Sequence, residues 1–262
     1  MSPASNLKID LTEKFPLLAR APIIEAVLDI RARAEAPWEE SAVSERLSKE
    51  LPDYPVVQSK REIRHELKID KGQPAEQSIQ DMGWKGLQLQ SGDKRRIAQF
   101  HRDGFVFSRL QPYQSWNQFR NEALRLWRIH QAAAQPAEIH RLGLRFINRI
   151  LLPKGSRIEA YLQIIPKTPM GLELPFAGFF HHETLNVPGY PYAINTIRTM
   201  QPPQDSPPEE GAGLILDIDV FTTTPPFEAQ NAVMEQRIEE MRWLKNRVFY
   251  GSITPKALEE MR

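Results

Sequence analysis

From Pro22 to Ala34 apolar and polar residues alternate. Ala26, Leu28, Ile30 and Ala32 fall on one side and Val27, Asp29, Arg31 and Arg33 on the other, the period of a half-buried strand. The period then lengthens. Pro37 precedes Trp38, Val43, Leu47 and Leu51, a helical spacing closed by Pro52. Four extended segments follow, at about 55–70, 84–90, 95–101 and 105–110. The links Ser91-Gly92-Asp93 and Arg102-Asp103-Gly104 supply residues that tolerate positive φ, so these segments predict an antiparallel meander. Residues 111–135 predict a long amphipathic helix, with Ser115 as N-cap and Trp116, Phe119, Ala123, Leu124, Trp127 and Ile129 on its apolar face.

The pattern then begins again. Residues 138–152 predict a strand and 156–165 a short helix capped by Ser156. Three extended segments follow near 176–185, 190–200 and 213–221, with a proline-rich loop over 201–213. Thr223, Thr224 and Pro225-Pro226 open a second long helix, whose stripe runs through Phe227, Ala229, Val233, Ile238, Met241, Leu244 and Val248 and stops at Gly251; Thr254-Pro255 starts a small closing helix. Residues 1–20 show little pattern and form an N-terminal arm that docks or stays loose. The expectation is an α+β fold. A duplicated β-α-β(3–4)-α unit, residues 21–135 and 136–262, builds one pseudo-symmetric domain over 21–262, with a curved antiparallel sheet carrying its long helices on one face. The other face is left open for function.

Composition removes several function classes. The chain of 262 residues is 41% hydrophobic, enough for an ordinary core, and its 34 basic and 33 acidic residues leave a net charge of +1, so any electrostatic argument must be local. It has no cysteine, which excludes disulfides, thiolate metal sites, iron–sulfur clusters and thiol catalysis. The N-terminus lacks a signal-peptide pattern and no apolar run is long enough to span a bilayer, which points to the cytoplasm and to no membrane partner. Gly143, Gly211 and Gly213 fit no nucleotide-binding fingerprint, and no cofactor is expected.

Three patches carry a family resemblance: Ala21-Pro22-Ile23-Ile24-Glu25-Ala26-Val27, the strand Gly143-Leu144-Arg145-Phe146-Ile147-Asn148-Arg149-Ile150, and the ending Phe249-Tyr250-Gly251-Ser252-Ile253-Thr254. Together they resemble a sporadically distributed bacterial family of uncharacterised function. The resemblance implies a bacterial cytosolic protein whose scattered distribution suits mobile or defence-related genes, and it implies no activity and no site residues. The order of elements is similar to the duplicated saddle of the TATA-binding protein, a likeness of architecture that does not fix function.

Candidate chemistry divides into three readings. First, Trp84, Gln88, Arg95, Gln99, His101, Phe105, Phe107 and Arg109 interleave aromatics, amides and cations on the expected open face of the meander, and Arg141, Arg145 and Arg149 form a stripe at every fourth residue of one strand. Such a surface suits a protein partner or self-association, which makes a non-enzymatic binding or accessory protein the preferred reading. Second, the same groups can stack bases and neutralise phosphates, so nucleic-acid binding is the first alternative. Third, Asp217 and Asp219 point to the same side of a strand, and with Glu183 beside His181-His182 they outline a metal-dependent hydrolase or phosphoryl enzyme; the competing reading pairs the two aspartates with Arg145 and Arg149. The isolated histidines, His101 and His130 among them, have no partner at a motif spacing, and no catalytic residue is assigned.

Overall fold

The computed structural model describes residues 7–68, 76–165, 177–201, 212–223 and 225–262. The first half runs β1 (Ile23–Arg31), α1 (Glu40–Glu50), β2 (Val56–Lys68), β3 (Glu76–Gln90), β4 (Arg96–His101), β5 (Gly104–Leu110) and α2 (Trp116–Ala134). The second runs β6 (Glu138–Ile139), β7 (Arg141–Leu152), a 3₁₀ turn at Ile158–Ala160, β8 (Phe180–Asn186), β9 (Tyr192–Gln201), β10 (Ala212–Thr222), β11 (Phe227–Glu228), α3 (Asn231–Ser252) and α4 (Pro255–Met261).

Nine of these strands form one open antiparallel sheet in the order β2-β3-β4-β5-β1-β7-β10-β9-β8, while β6 and β11 pair separately. The first long strands of the two halves, β1 and β7, thus stand at the centre, each half's last long strand lies beside its own, and the intervening strands extend outward. The fold is α+β, as the alternation of periods predicts.

One row of side chains shows why the sheet takes helices on a single face. Val57, Leu89, Ala98, Phe107, Leu28, Leu144, Val220, Ile194 and Leu185 are register partners in sequence across all nine strands. All nine are apolar, and the seven inner members are buried. Because side chains alternate along a strand, one such row commits every second residue of each strand to the same side. Onto that side pack α1, α2 and α3, through Val43 and Leu47, through Phe119, Leu126 and Trp127, and through Ile238, Met241 and Leu244. Among the described residues no helix lies on the other face.

Several boundaries differ from the sequence reading. Helix α2 begins at Trp116 rather than near residue 111, since the Ser115 side chain accepts from the Gln118 N–H and caps it. The expected helix over 156–165 is a single 3₁₀ turn. Helix α3 starts at Asn231 because Phe227 and Glu228 are drawn into β11 beside β6, and it runs through Gly251 to Ser252. Strand β3 begins eight residues before Trp84. Its early part pairs only with β2, and the exposed Ile63 and Ile79 show no inward alternation that could reveal it. The proline-rich stretch falls at 202–211, outside the described residues. The arm from residue 7 onward is docked on α3: Glu13 accepts from Trp243 Nε1 at 2.8 Å and pairs with Arg247 at 3.0 Å, Tyr250 Oη donates to the Pro16 carbonyl, and Phe15 stacks on Tyr250.

Each long helix buries one basic group against the sheet. His130 of α2 is 0% exposed among the rings of Trp38, Phe100, Phe105 and Trp127, and burial pushes its imidazole down to about 3. Lys245 of α3 has its ammonium 4.2 Å from the centre of the Phe146 ring, and burial pushes it down to about 7. The ring face favours the cation by about 2 kcal/mol, less than the several kcal/mol lost when an ammonium leaves water, so dehydration sets the direction.

Candidate binding face

The helix-free face is built from the side chains that alternate with the apolar row. At its centre lie Arg31, Arg141 and Arg145 with Asp29, Asp217 and Asp219. Arg145 forks onto Asp217, with Nε to Oδ1 at 2.9 Å and Nη2 to Oδ2 at 2.5 Å. Arg141 bridges two strands, with Nη1 to Asp29 at 2.7 Å and Nη2 to Asp219 at 2.9 Å. Arg31 closes on Asp29 at 3.1 Å. Three cations meet three anions, so this surface is locally neutral.

The pairs run diagonally. Arg145 lies directly across from Asp219 in register yet reaches Asp217, and Arg141 lies across from Arg31, one same-face step from Asp29 and two from Asp219. Long side chains on a pleated sheet reach diagonal neighbours as readily as direct ones. Two glycines make room for this. A Cβ on Gly143 would come 2.5 Å from Arg141 Nη1, and one on Gly213 would come 3.0 Å from Arg149 Nε, so the guanidinium arms lie flat across strands that lack side chains beneath them. Burial raises the Asp219 carboxyl above the usual aspartate range against the pull of Arg141 and Arg145, whereas the Asp217 hydrogen bonds raise Arg145.

Flanking the charged centre are neutral polar rows. Gln58, Gln88 and Gln99 are register partners on β2, β3 and β4, and Thr184 donates to Asn195 at 2.7 Å on β8 and β9. His101 shares the face beside Gly86, where a Cβ would stand 2.0 Å from the Phe100 carbonyl oxygen; burial lowers its imidazole below the usual value.

The structure brings Gln88, Gln99, His101, Arg141, Arg145 and Arg149 to the open face and places the exposed Arg95 at its lower end. It does not bring the aromatics there. Phe105 and Phe107 are buried against the helices at 0% and 1% exposure, paired in register with Phe100 and Ala98. Trp84 also faces the helices, stacked on Trp38 and donating to Ser59 Oγ at 3.1 Å. Arg109 faces the same side, across from Arg96, and donates to the Pro112 carbonyl. The expected base-stacking platform is therefore internal core.

The outlined metal site is likewise dispersed. Asp217 and Asp219 are held by Arg145 and Arg141, not by Arg149. Glu183 sits on the helix side, where it accepts from Arg198 at 2.8 Å and Thr196 at 2.9 Å, contacts that hold its carboxyl low despite burial. Among the described residues no three His, Asp or Glu groups come together as a metal site. Sequence reasoning missed Asp29 as the partner of Arg141, although the alternation that places Asp29 on the open side is visible from Val27 to Arg31. It also missed Arg198, 2% exposed, for which no local pattern signals burial.

No helix among the described residues is long and apolar enough to cross a membrane. No protein-family model, curated protein or solved structure matches the chain.

Proposed function

We propose that this chain is a non-enzymatic binding protein that docks a macromolecular partner on the open sheet face, and that the partner is a protein. The observation that carries the reading is the segregation of all three large helices to one side of a nine-stranded sheet, which leaves a broad face with an internally neutralised centre and amide-rich flanks. A surface whose charges already satisfy one another presents polar groups in fixed positions without a net field, which suits a polar, shape-matched interface rather than phosphate neutralisation. Phe105 and Phe107 lie in the core and Trp84 packs against it on the helix side, so the open face lacks the stacking side chains that single-stranded nucleic acid would need.

The wider setting belongs to the same proposal. The family resemblance, two of whose patches form the adjacent central strands β1 and β7, supports membership in a sporadically distributed bacterial family with a cytosolic accessory or defence role. An internal duplication is supported by the matching outward order of strands on either side of that pair.

The test is affinity capture from native bacterial cells, with and without nuclease. Wild type is compared with a Gln99→Arg, Asn195→Arg double variant of the open face and with Arg128→Gln on the helix surface. The expected result is a nuclease-resistant protein retained at constant stoichiometry by wild type and Arg128→Gln and lost with the double variant. Loss on nuclease treatment, or retention by the double variant, overturns the reading.

A further inference from the structure

The nine-stranded sheet ends on two edges, β8 with seven residues and β2 with thirteen. Folded chains usually keep an edge strand short or interrupt it, because its outward N–H and C=O groups can accept another strand. Strand β2 does neither. Both register shifts in its ladder with β3 fall on the inner strand, at Lys85 and Met82, so β2 itself runs without an inserted residue. Strand β4 pairs with β3 only over residues 86–90, which leaves 61–68 and 76–84 as a ribbon of two strands. Such a ribbon is marginal in water by itself. It also carries Ile63, Ile79 and Met82, which are 56%, 70% and 44% exposed. Ile63 lies across from Asp81, two residues from Ile79, so both isoleucines fall on one side of the ribbon.

The sequence of this edge is complementary to itself. When a second copy is laid antiparallel with Ile63 opposite Ile63, Glu62 falls opposite Arg64 and Arg64 opposite Glu62, and the sequence continues the pattern with Lys60 opposite Glu66. Arg61 falls opposite His65, and its charge is already met by Asp81 at 2.8 Å. Moving the axis to either neighbouring residue destroys the match. Centred on Glu62 it sets Lys60 against Arg64, and centred on Arg64 it sets Glu62 against Glu66. Opposite charges directly across a ladder attract and like charges repel, so the charges select a single register. In that register the two Ile63 side chains meet on the side that also carries Ile79, and the Glu62–Arg64 pairs form on the other. Glu62 and Arg64 are exposed, and among the described residues they make no ion pair and no side-chain hydrogen bond within the chain.

We propose that two copies of this chain join through β2, antiparallel about a two-fold axis at Ile63, and that the sheet continues from one copy into the other. The occupant of this edge is a second copy because the strand's charges match the same strand reversed, which is what an isologous contact requires. Each two-stranded ribbon then becomes half of a four-stranded one. The inference is independent of the open-face reading: the axis runs perpendicular to the sheet, so both open faces lie on the same side and stay uncovered.

The test is sedimentation velocity of the full chain at about 0.15 M salt, from about 1 to 200 µM. Wild type is expected to dimerise with a Kd of about 10 µM or tighter. Glu62→Arg and Arg64→Glu each set two like-charged pairs across the axis and weaken dimerisation at least about tenfold. An equimolar mixture of these two variants recovers the dimer, and so does the chain carrying both exchanges, because each combination restores both opposite-charge pairs. All the variants keep the wild-type far-ultraviolet circular dichroism spectrum, which separates a lost contact from a lost fold. A wild type that stays monomeric at about 200 µM, a dimer indifferent to either exchange, or a mixture of the two variants that stays monomeric overturns the proposal.

Discussion

The two long helices face the same problem with different side chains. On α2, His130 enters an aromatic cage; on α3, Lys245 lies over one phenyl ring. An imidazole is mostly neutral at pH 7, so its burial asks little there and becomes unfavourable only in acid. An ammonium is charged until about pH 10.4 in water, so its burial is already unfavourable at neutral pH. The halves match in layer order and diverge in where on the pH scale each is vulnerable: the first in acid, the second at neutrality.

The largest effect that would sharpen this comparison comes from acidification. The unfolded chain takes up a proton at His130 near pH 6.5, whereas the folded chain does so only near 3. Stability present above 6.5 is therefore lost as the pH falls through this window, at about 1.4 kcal/mol per pH unit. Urea denaturation at pH 6.5 and 4.5 should show a loss of about 2–3 kcal/mol that His130→Leu abolishes; parallel losses in both proteins would break the comparison.

The second effect has the opposite setting. Between about pH 7 and 10.5 the unfolded chain holds a proton at Lys245 that the folded chain has released, so stability rises with pH across that range and is lowest below 7. Lys245→Met should stabilise the fold by about 2 kcal/mol at pH 7 and flatten the rise toward pH 9.5, measured by the same denaturation curves. An unchanged slope in the variant would assign the alkaline rise elsewhere.

The smallest effect tests the contrast on the other face, between the charged centre and the amide rows. Asp217→Asn removes the fork onto Arg145 and should lower stability by about 1–2 kcal/mol, limited by the half-exposed guanidinium that water can still solvate. Gln99→Ala, in the amide row, should stay within about 0.5 kcal/mol of wild type by thermal unfolding.

Most elements were legible because long segments keep one period. Strand β1 and helix α2 read cleanly: Ala26, Leu28 and Ile30 alternate, and Ser115 precedes the α2 stripe. What failed was parity. Reading Arg102-Asp103-Gly104 as a three-residue turn pairs Phe105 with His101 and sends both phenylalanines to the open side. The turn has two residues, Gly104 pairs with His101, and every side chain of β5 moves to the opposite face. Gly104 belongs in the strand because a Cβ there would stand 2.2 Å from the Ile30 carbonyl oxygen, a tertiary contact that local sequence does not announce. Trp84 was misplaced for a related reason, since the register of β3 shifts at Lys85 and again at Met82. Within the candidate site, the Arg and Asp types and their shared side were readable, but which arginine meets which aspartate depends on diagonal reach, and Asp29 comes from a strand far away in sequence.

That distance has a kinetic side. Arg141 and Asp29 are 112 residues apart, yet they join neighbouring strands at the middle of the sheet. A nascent polypeptide leaving the ribosome can zip β1 to β5 before β7 has emerged. Until then the inner margin of β1 has no mate, and the late arrival of one strand governs when the two layers become a single cooperative body.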